Sequence, residues 1–250
     1  SRTVPFVSKA TDTALAKAAA LIMLGSSVAQ LRQQGRLRAE GDGAIVLLGA
    51  PVAVKEAVMP FNRFRTSTAA FVDTLLGPEM RSTGEVMGLS DNFGTAFAKS
   101  QAGGGGPLPT SGTVFVSIAD RDKRHAIWPL RRFLDLGFRI LATRGTASVL
   151  RRNGITVEEV KKLSERVEGS DERSIVDLIK AGDIDLIFNT PDGGTAGEST
   201  REDGYYIRTA AVLADVPLIT TVPGLAAAAQ GIEAKQSGAL DVRSLQDWRA

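Results

Sequence analysis

Thr113-Val114-Phe115-Val116-Ser117-Ile118-Ala119-Asp120-Arg121-Asp122-Lys123 is the stretch from which the fold can be read. β-Branched and aromatic residues run together as in a buried strand, then give way to small polar and charged residues where a helix should open. The same order returns twice: Arg139-Ile140-Leu141-Ala142 runs into Thr143-Arg144-Gly145-Thr146, and Leu186-Ile187-Phe188 runs into Asn189-Thr190-Pro191. Around these anchors the pattern predicts strand 113–118, then a helix over 124–136 with Ile127, Leu130, Phe133 and Leu134 at helical spacing. Strand 138–142 follows, then a helix that opens at Gly145 or Thr146 and closes before Asn153-Gly154. Next come strand 155–160, a charged stretch from Glu165 to Arg173, helix 174–181 ended by Gly182, and strand 184–188. A glycine-rich loop from Asp192 to Asp203, helix 204–215, strand 216–220 and helix 224–236 complete the series. Strands alternating with helices in this way call for an α/β fold, with a five-stranded parallel, Rossmann-like sheet covered on both faces.

In such a sheet the carboxyl ends of the strands lie side by side and face one crevice. Ser117, Thr143, Thr146, Asn189 and Thr190 bring polar side chains to that edge, and Lys123 and Lys162 bring positive charge. Gly145 lets backbone approach a ligand closely, beside the free N–H groups of a helix N-terminus. The combination suits a phosphate-bearing small molecule. Each residue also has a plainer reading: Lys123 as a solvated lysine, Thr143 as a helix cap, Asn189 as a turn cap. Asp120, Asp122 and Asp192 lie at or near the same edge and offer a general base, although loop aspartates usually cap or face water. The chain contains no Walker-type glycine loop, Gly-x-Ser-x-Gly elbow or His-Glu-x-x-His string.

Composition narrows the classes. The chain has 250 residues, enough for two modest domains or one large one. Its 30 basic and 28 acidic side chains leave a formal charge of +2, scattered rather than striped, which argues against a nucleic-acid or membrane surface. Without cysteine there are no disulfides or thiolate metal sites, and the single histidine, His125, leaves a Ser-His-Asp triad hanging on one residue. The longest apolar stretches, such as Ala14 to Leu24, are too short to span a bilayer. The composition fits a reducing compartment, and the expected location is cytoplasmic.

The run Gly103-Gly104-Gly105-Gly106-Pro107-Leu108-Pro109 is predicted to hold neither helix nor strand. It divides the chain into residues 1–102, a linker over 103–111, and residues 112–250. Before it, Val4 to Val7 is predicted as a short strand, and Thr11 or Asp12 as the cap of a helix ending near Gly25. Ser26 or Ser27 opens a second helix ended by Gly35, Val52 to Val58 reads as a strand, and a helix covers Asn92 to Ser100. With a start at Ser1-Arg2-Thr3-Val4-Pro5, the chain reads as a piece of something longer.

Three strings in this first half carry a family resemblance: Arg2 to Thr11, Val54 to Asn62, and Leu76-Gly-Pro-Glu-Met-Arg-Ser-Thr-Gly-Glu-Val-Met-Gly88. With Phe97-Ala-Lys-Ser-Gln101, they closely resemble the large subunit of carbamoyl phosphate synthetase, and the likeness extends along essentially the whole chain. It implies that residues 1–102 close an ATP-grasp domain and that residues 112–250 are the subunit's carboxy-terminal regulatory domain, with a methylglyoxal-synthase-like fold. The ATP- and metal-binding residues would lie upstream, so the resemblance implies no cofactor and no catalytic residue in this piece, while the parent uses ATP, Mg or Mn, and K. It also implies partners: the rest of the large subunit, a glutaminase small subunit, and a nucleotide monophosphate effector, UMP or IMP. The matching effector positions are Ser117, Lys123, Thr143, Thr146, Lys162 and Asn189. Pro191 stands where relatives often have a second threonine, and Arg144, at a variable position, would add charge. Glu56, Met59, Leu76, Leu218 and Thr220 match a junction that binds ornithine in some members, with Leu218 in place of an aromatic residue. An alternative within the same fold is a lyase acting on a triose phosphate. That chemistry looks for a Gly-Asp-x-Gln base where this chain has Asp171-Glu-Arg-Ser174. A docking module without a ligand is a third reading.

Overall fold

In the computed structural model, the described residues are 3–39, 41, 49–61, 82–165, 172–191, 198–238 and 240–248. Five parallel strands form the main sheet: β3 (Thr113–Ser117), β4 (Arg139–Ala142), β5 (Glu158–Glu159), β6 (Leu186–Asn189) and β7 (Leu218–Ile219). Their spatial order is β5-β4-β3-β6-β7. The chain works outward from β3 in one direction, then returns to its other side, so β3 and β6 flank the point where strand order reverses. Ser117 and Asn189 pair in register there, at the carboxyl ends of both strands.

Alternation along the strands explains why both faces are covered. Val114, Val116, Leu186 and Phe188 point to one face, where they pack with Leu130 and Phe133 of α5 (Lys123–Asp135), Leu150 of α6 (Arg144–Arg152) and Leu225 of α9 (Val222–Ser237). Phe115, Leu141 and Ile187 point to the other, against Ile175 and Ile179 of α7 (Ile175–Ala181) and Ile207 of α8 (Glu198–Leu213). The central strands are thus buried on both sides, as a parallel sheet requires.

The first half is built of α1 (Thr3–Thr11), α2 (Leu15–Met23), α3 (Val28–Gln33), β1 (Val52–Val58), β2 (Gly84–Ser90) and α4 (Phe93–Gly104). Antiparallel pairing runs from Val52↔Ser90 to Val58↔Gly84. Helix α4 lies between this ribbon and α9. On the ribbon side, a Cβ on Gly88 would fall 1.9 Å from the Ala96 carbonyl oxygen; on the other, a Cβ on Gly94 would fall 2.5 Å from the Gln230 carbonyl oxygen of α9. Only glycine allows these backbones to approach so closely.

Several expectations are corrected. Residues 4–7 are helical, since Pro5 sits in the first turn of α1, where its missing N–H costs nothing. Ala14, not Thr11 or Asp12, precedes α2, and it makes no side-chain cap. Ser27 does cap α3, in a reciprocal box with Gln30. The glycine run is not free of structure: α4 continues through Gly103 and Gly104 and stops at Gly105, whose φ is +95°. Strand β2 escaped the periodicity reading altogether. Helix α8 begins at Glu198 rather than 204 and carries Gly204 within it, where a Cβ would lie 2.7 Å from Nη1 of Arg208. Strands β5 and β7 are shorter than predicted. Residues 166–171 of the charged stretch and 192–197 of the glycine-rich loop lie outside the described residues.

Candidate functional site: a donor-lined crevice and a second cavity

Beyond β3 the chain turns through Ile118 and Ala119, and two threonines hold that turn. The Ile118 N–H donates to Thr146 Oγ1 at 3.2 Å, and the Ala119 N–H donates to Thr190 Oγ1 at 2.8 Å. A hydroxyl that accepts in this way keeps its own proton to donate. Thr143 and Thr146 are buried, and the Thr143 hydroxyl donates to Thr146 Oγ1 at 3.3 Å. Thr143 is the residue before α6, yet its side chain makes no capping bond. The first-turn N–H groups of α6 are thus left uncapped by it, which disposes of the plainer reading of Thr143.

Lys123 opens α5, and its side chain is only 16% exposed. The ammonium pairs with Asp120 and lies against Gly145, where a Cβ would come within 3.2 Å of Nζ. Lysine and uncapped helix turn therefore share one spot. The hydrogen bond and charge of Lys123 hold the Asp120 carboxyl below the usual carboxylate range, and that side chain is almost wholly exposed. An exposed carboxylate of lowered basicity is poorly suited to be the general base. Asp122 lies 3.6 Å from Arg121 and does not cap α5. Asp192 falls outside the described residues.

Asn189 is buried, and its amide is oriented by its neighbours. Arg208 Nη1 donates to Asn189 Oδ1 at 3.2 Å, and Asn189 Nδ2 donates to the Ser117 carbonyl oxygen at 3.4 Å. Because arginine can only donate, the amide oxygen must face it, and Asn189 turns its donor side toward the strand ends. Lys162 is at the same sheet edge, just past β5, where its Nζ lies 3.7 Å from the buried carboxylate of Asp203. Arg144 turns away: its Nε donates to Glu159 at 3.2 Å on the surface, so it adds no charge to the crevice. The Pro191 carbonyl oxygen accepts from Arg121 at 2.6 Å. Ser174 is engaged in a capping box with Asp177 at the start of α7, and Asp171 lies outside the described residues. The crevice thus presents two lysines, hydroxyls, helix N–H groups and an amide, with the Asp120 and Asp203 carboxylates paired to the lysines.

A separate cavity of about 720 Å³ lies between the ribbon and the far edge of the sheet. Glu56, Met59, Gln101, Pro191, Leu218 and Thr220 are among its lining residues, so four of the five junction positions share one space. Leu76 lies outside the described residues. Burial lifts the Glu56 carboxyl above its usual range, although the Gln101 amide donates to it at 2.6 Å and pulls the other way. Among the described residues no three His, Cys, Asp or Glu side chains gather to hold a metal ion, and no helix is long and apolar enough to cross a membrane.

A family model described as "MGS-like domain" matches residues 126–220. Over 248 residues the chain is 58% identical to the carbamoyl phosphate synthase large chain of Mycobacterium sp. (strain JLS), covering 99% of this chain and 22% of that relative. The chain is a homologue of the carbamoyl phosphate synthase large chain. The corresponding proteins of Corynebacterium glutamicum (58% over 247 residues; 99% of this chain, 22% of the relative) and Streptomyces coelicolor (58% over 250 residues; 100% and 22%) agree. The chain therefore spans about a fifth of the length of these large chains. Within it, the MGS-like match covers Thr143, Thr146, Lys162, Asn189 and Thr190, while Ser117 and Lys123 precede it. Asp203 and Arg208 also fall inside the match, and sequence reasoning missed both. The signal that could have exposed them is charge within a helix whose other residues, such as Ile207, Ala210 and Ala211, face the core.

Proposed function

We propose that this chain is the regulatory part of a carbamoyl phosphate synthase large chain and that its sheet-edge crevice binds a nucleotide monophosphate, UMP or IMP. The observation that carries this reading is the pairing of Lys123 with Gly145 at the uncapped start of α6, beside the Thr143 and Thr146 hydroxyls. A phosphate dianion is all acceptor, and a crevice that presents donors matches it. On the same reading, residues 1–102 close an ATP-grasp domain, 103–111 join it to the regulatory domain of 112–250, and the cavity beside Glu56 takes an amino-acid effector such as ornithine. ATP, Mg or Mn, K and the glutaminase subunit belong to the parent enzyme, which acts in arginine and pyrimidine biosynthesis. This chain's own task is linkage: a ligand that favours one arrangement of the two parts shifts the population of the synthetase half.

Calorimetric titration of UMP and IMP against the wild type and Lys123→Ala tests the proposal. Saturable binding by the wild type is expected, weakened about tenfold or more in Lys123→Ala, the usual scale for losing a charge-assisted hydrogen bond. If neither nucleotide saturates the wild type at millimolar concentration, the effector reading is wrong.

A further inference from the structure

Charge is less evenly spread than the chain's overall +2 implies. Residues 121–153, which hold α5, β4 and α6, contain nine basic and two acidic side chains. Six of these cations have a carboxylate within reach, Lys123 with Asp120 and Arg132 with Glu233 among them. Among the described residues, Arg124, Arg131 and Arg152 have no carboxylate partner. Arg124, Trp128 and Arg131 stand at i, i+4 and i+7 along the exposed side of α5. Arg131 donates from Nη2 to the Asn153 carbonyl oxygen at 2.7 Å, which brings the end of α6, and with it Arg152, to the same surface. Two local choices here cost stability. Trp128 is 80% exposed and so forfeits the burial that makes a tryptophan favourable. Pro129 lies inside the helix, where it cannot donate to the His125 carbonyl oxygen four residues back. Departures of this kind gather where a surface has a task.

We propose that the exposed side of α5, with the end of α6, is a docking surface for an acidic peptide segment of a second protein. The inference goes beyond the nucleotide reading and does not depend on it. Each feature calls for one part of such a ligand. Guanidinium forks without a partner take carboxylates through two parallel hydrogen bonds, which an ammonium cannot do. The Trp128 ring takes an apolar side chain, and the His125 carbonyl takes a backbone N–H. A phosphodiester backbone would match the arginines but brings no N–H donor, and one ring is too few to stack a run of bases. Tryptophan and arginine are also the side chains that dominate the energetics of protein–protein contacts. The chain's own first half docks on α9 through α4 and leaves this face open.

Random peptides displayed on phage, selected on the wild-type chain and counter-selected on Trp128→Ala, supply the probe. Expected are peptides rich in aspartate and glutamate around an apolar or aromatic residue. By calorimetry their affinity should fall about tenfold or more on Trp128→Ala, the scale of an interface anchor. Because Trp128 is exposed, that variant should melt with the wild type. The double variant Arg124→Gln, Arg152→Gln leaves the Arg131 tie to Asn153 in place; it should weaken the same peptides and flatten their dependence on salt. The proposal is overturned if no recovered peptide distinguishes the wild type from Trp128→Ala, or if the recovered peptides carry no excess of acidic residues. It is overturned equally if a thymidine oligonucleotide or phosphatidylglycerol vesicles bind more tightly than the peptides through this face, read by Trp128 fluorescence in a Trp248→Phe background.

Discussion

At Gly145, stability and binding pull in opposite directions. Glycine is a poor helix residue, and Gly145 lies in the first turn of α6 without a positive φ to justify it. What it does is leave room for the Lys123 ammonium, 3.2 Å from where a Cβ would be. Gly145→Ala should therefore raise stability by a few tenths to about 1 kcal/mol while weakening nucleotide binding, because the flexible lysine end is what must move. Thermal melts and calorimetry on one sample check both signs; a variant that is stabilised and binds as tightly as the wild type would remove Lys123 from the site. Residues of this kind were legible in the sequence because strand ends and helix starts have a local grammar: Thr143, Thr146 and Lys123 are found by position alone. Asp203 and Arg208 were not, since each acts on a partner 39 or 19 residues away, across a tertiary contact that no local pattern encodes. Gly204 reads as the first residue of the helix over 204–215, yet it lies inside α8, where a Cβ would come 2.7 Å from Nη1 of Arg208.

Among the elements, α4 is the one on which the two halves of the chain meet. The sequence predicts its end at Ser100, whereas it runs on to Gly104. Helix geometry wins there because the glycines face close neighbours: a Cβ on Gly103 would lie 3.4 Å from Val86, and one on Gly104 3.0 Å from Glu56. The sheet elements were easier to read, since alternation and apolar runs mark strands that are buried on both faces. Ribbon strand β2 was harder, with two glycines and only half-burial along most of its length. Gly94→Ala tests the part played by α4. Its Cβ would press on the Gln230 backbone of α9, which cannot move like a side chain, so docking should loosen at a cost of about 1–3 kcal/mol. For a chain of this size that is a fall of roughly 3–10 °C in melting temperature, measurable by calorimetry. An unchanged melting temperature would mean that the helix pair is already apart in solution.

For the whole molecule, a regulatory reading requires that an event at the crevice be felt at the ribbon. The physical route is α4, held against α9 through Gly94 and against β2 through Gly88. A ligand that binds only the folded state adds about 2.7 kcal/mol of stability at a hundred times its dissociation constant. If the chain opens as one cooperative body, that increment is shared by every amide protected only through global opening. UMP at saturation should then slow hydrogen exchange in β1 and β2 as well as in the main sheet. In Gly94→Ala the protection should stay within the sheet and its helices, with nucleotide affinity retained, because Gly94 lies outside the crevice. Exchange followed by mass spectrometry in both proteins separates the cases. Protection confined to the crevice in the wild type would show a ligand that binds without being transmitted, and the linkage mechanism would then fail even though the site was real.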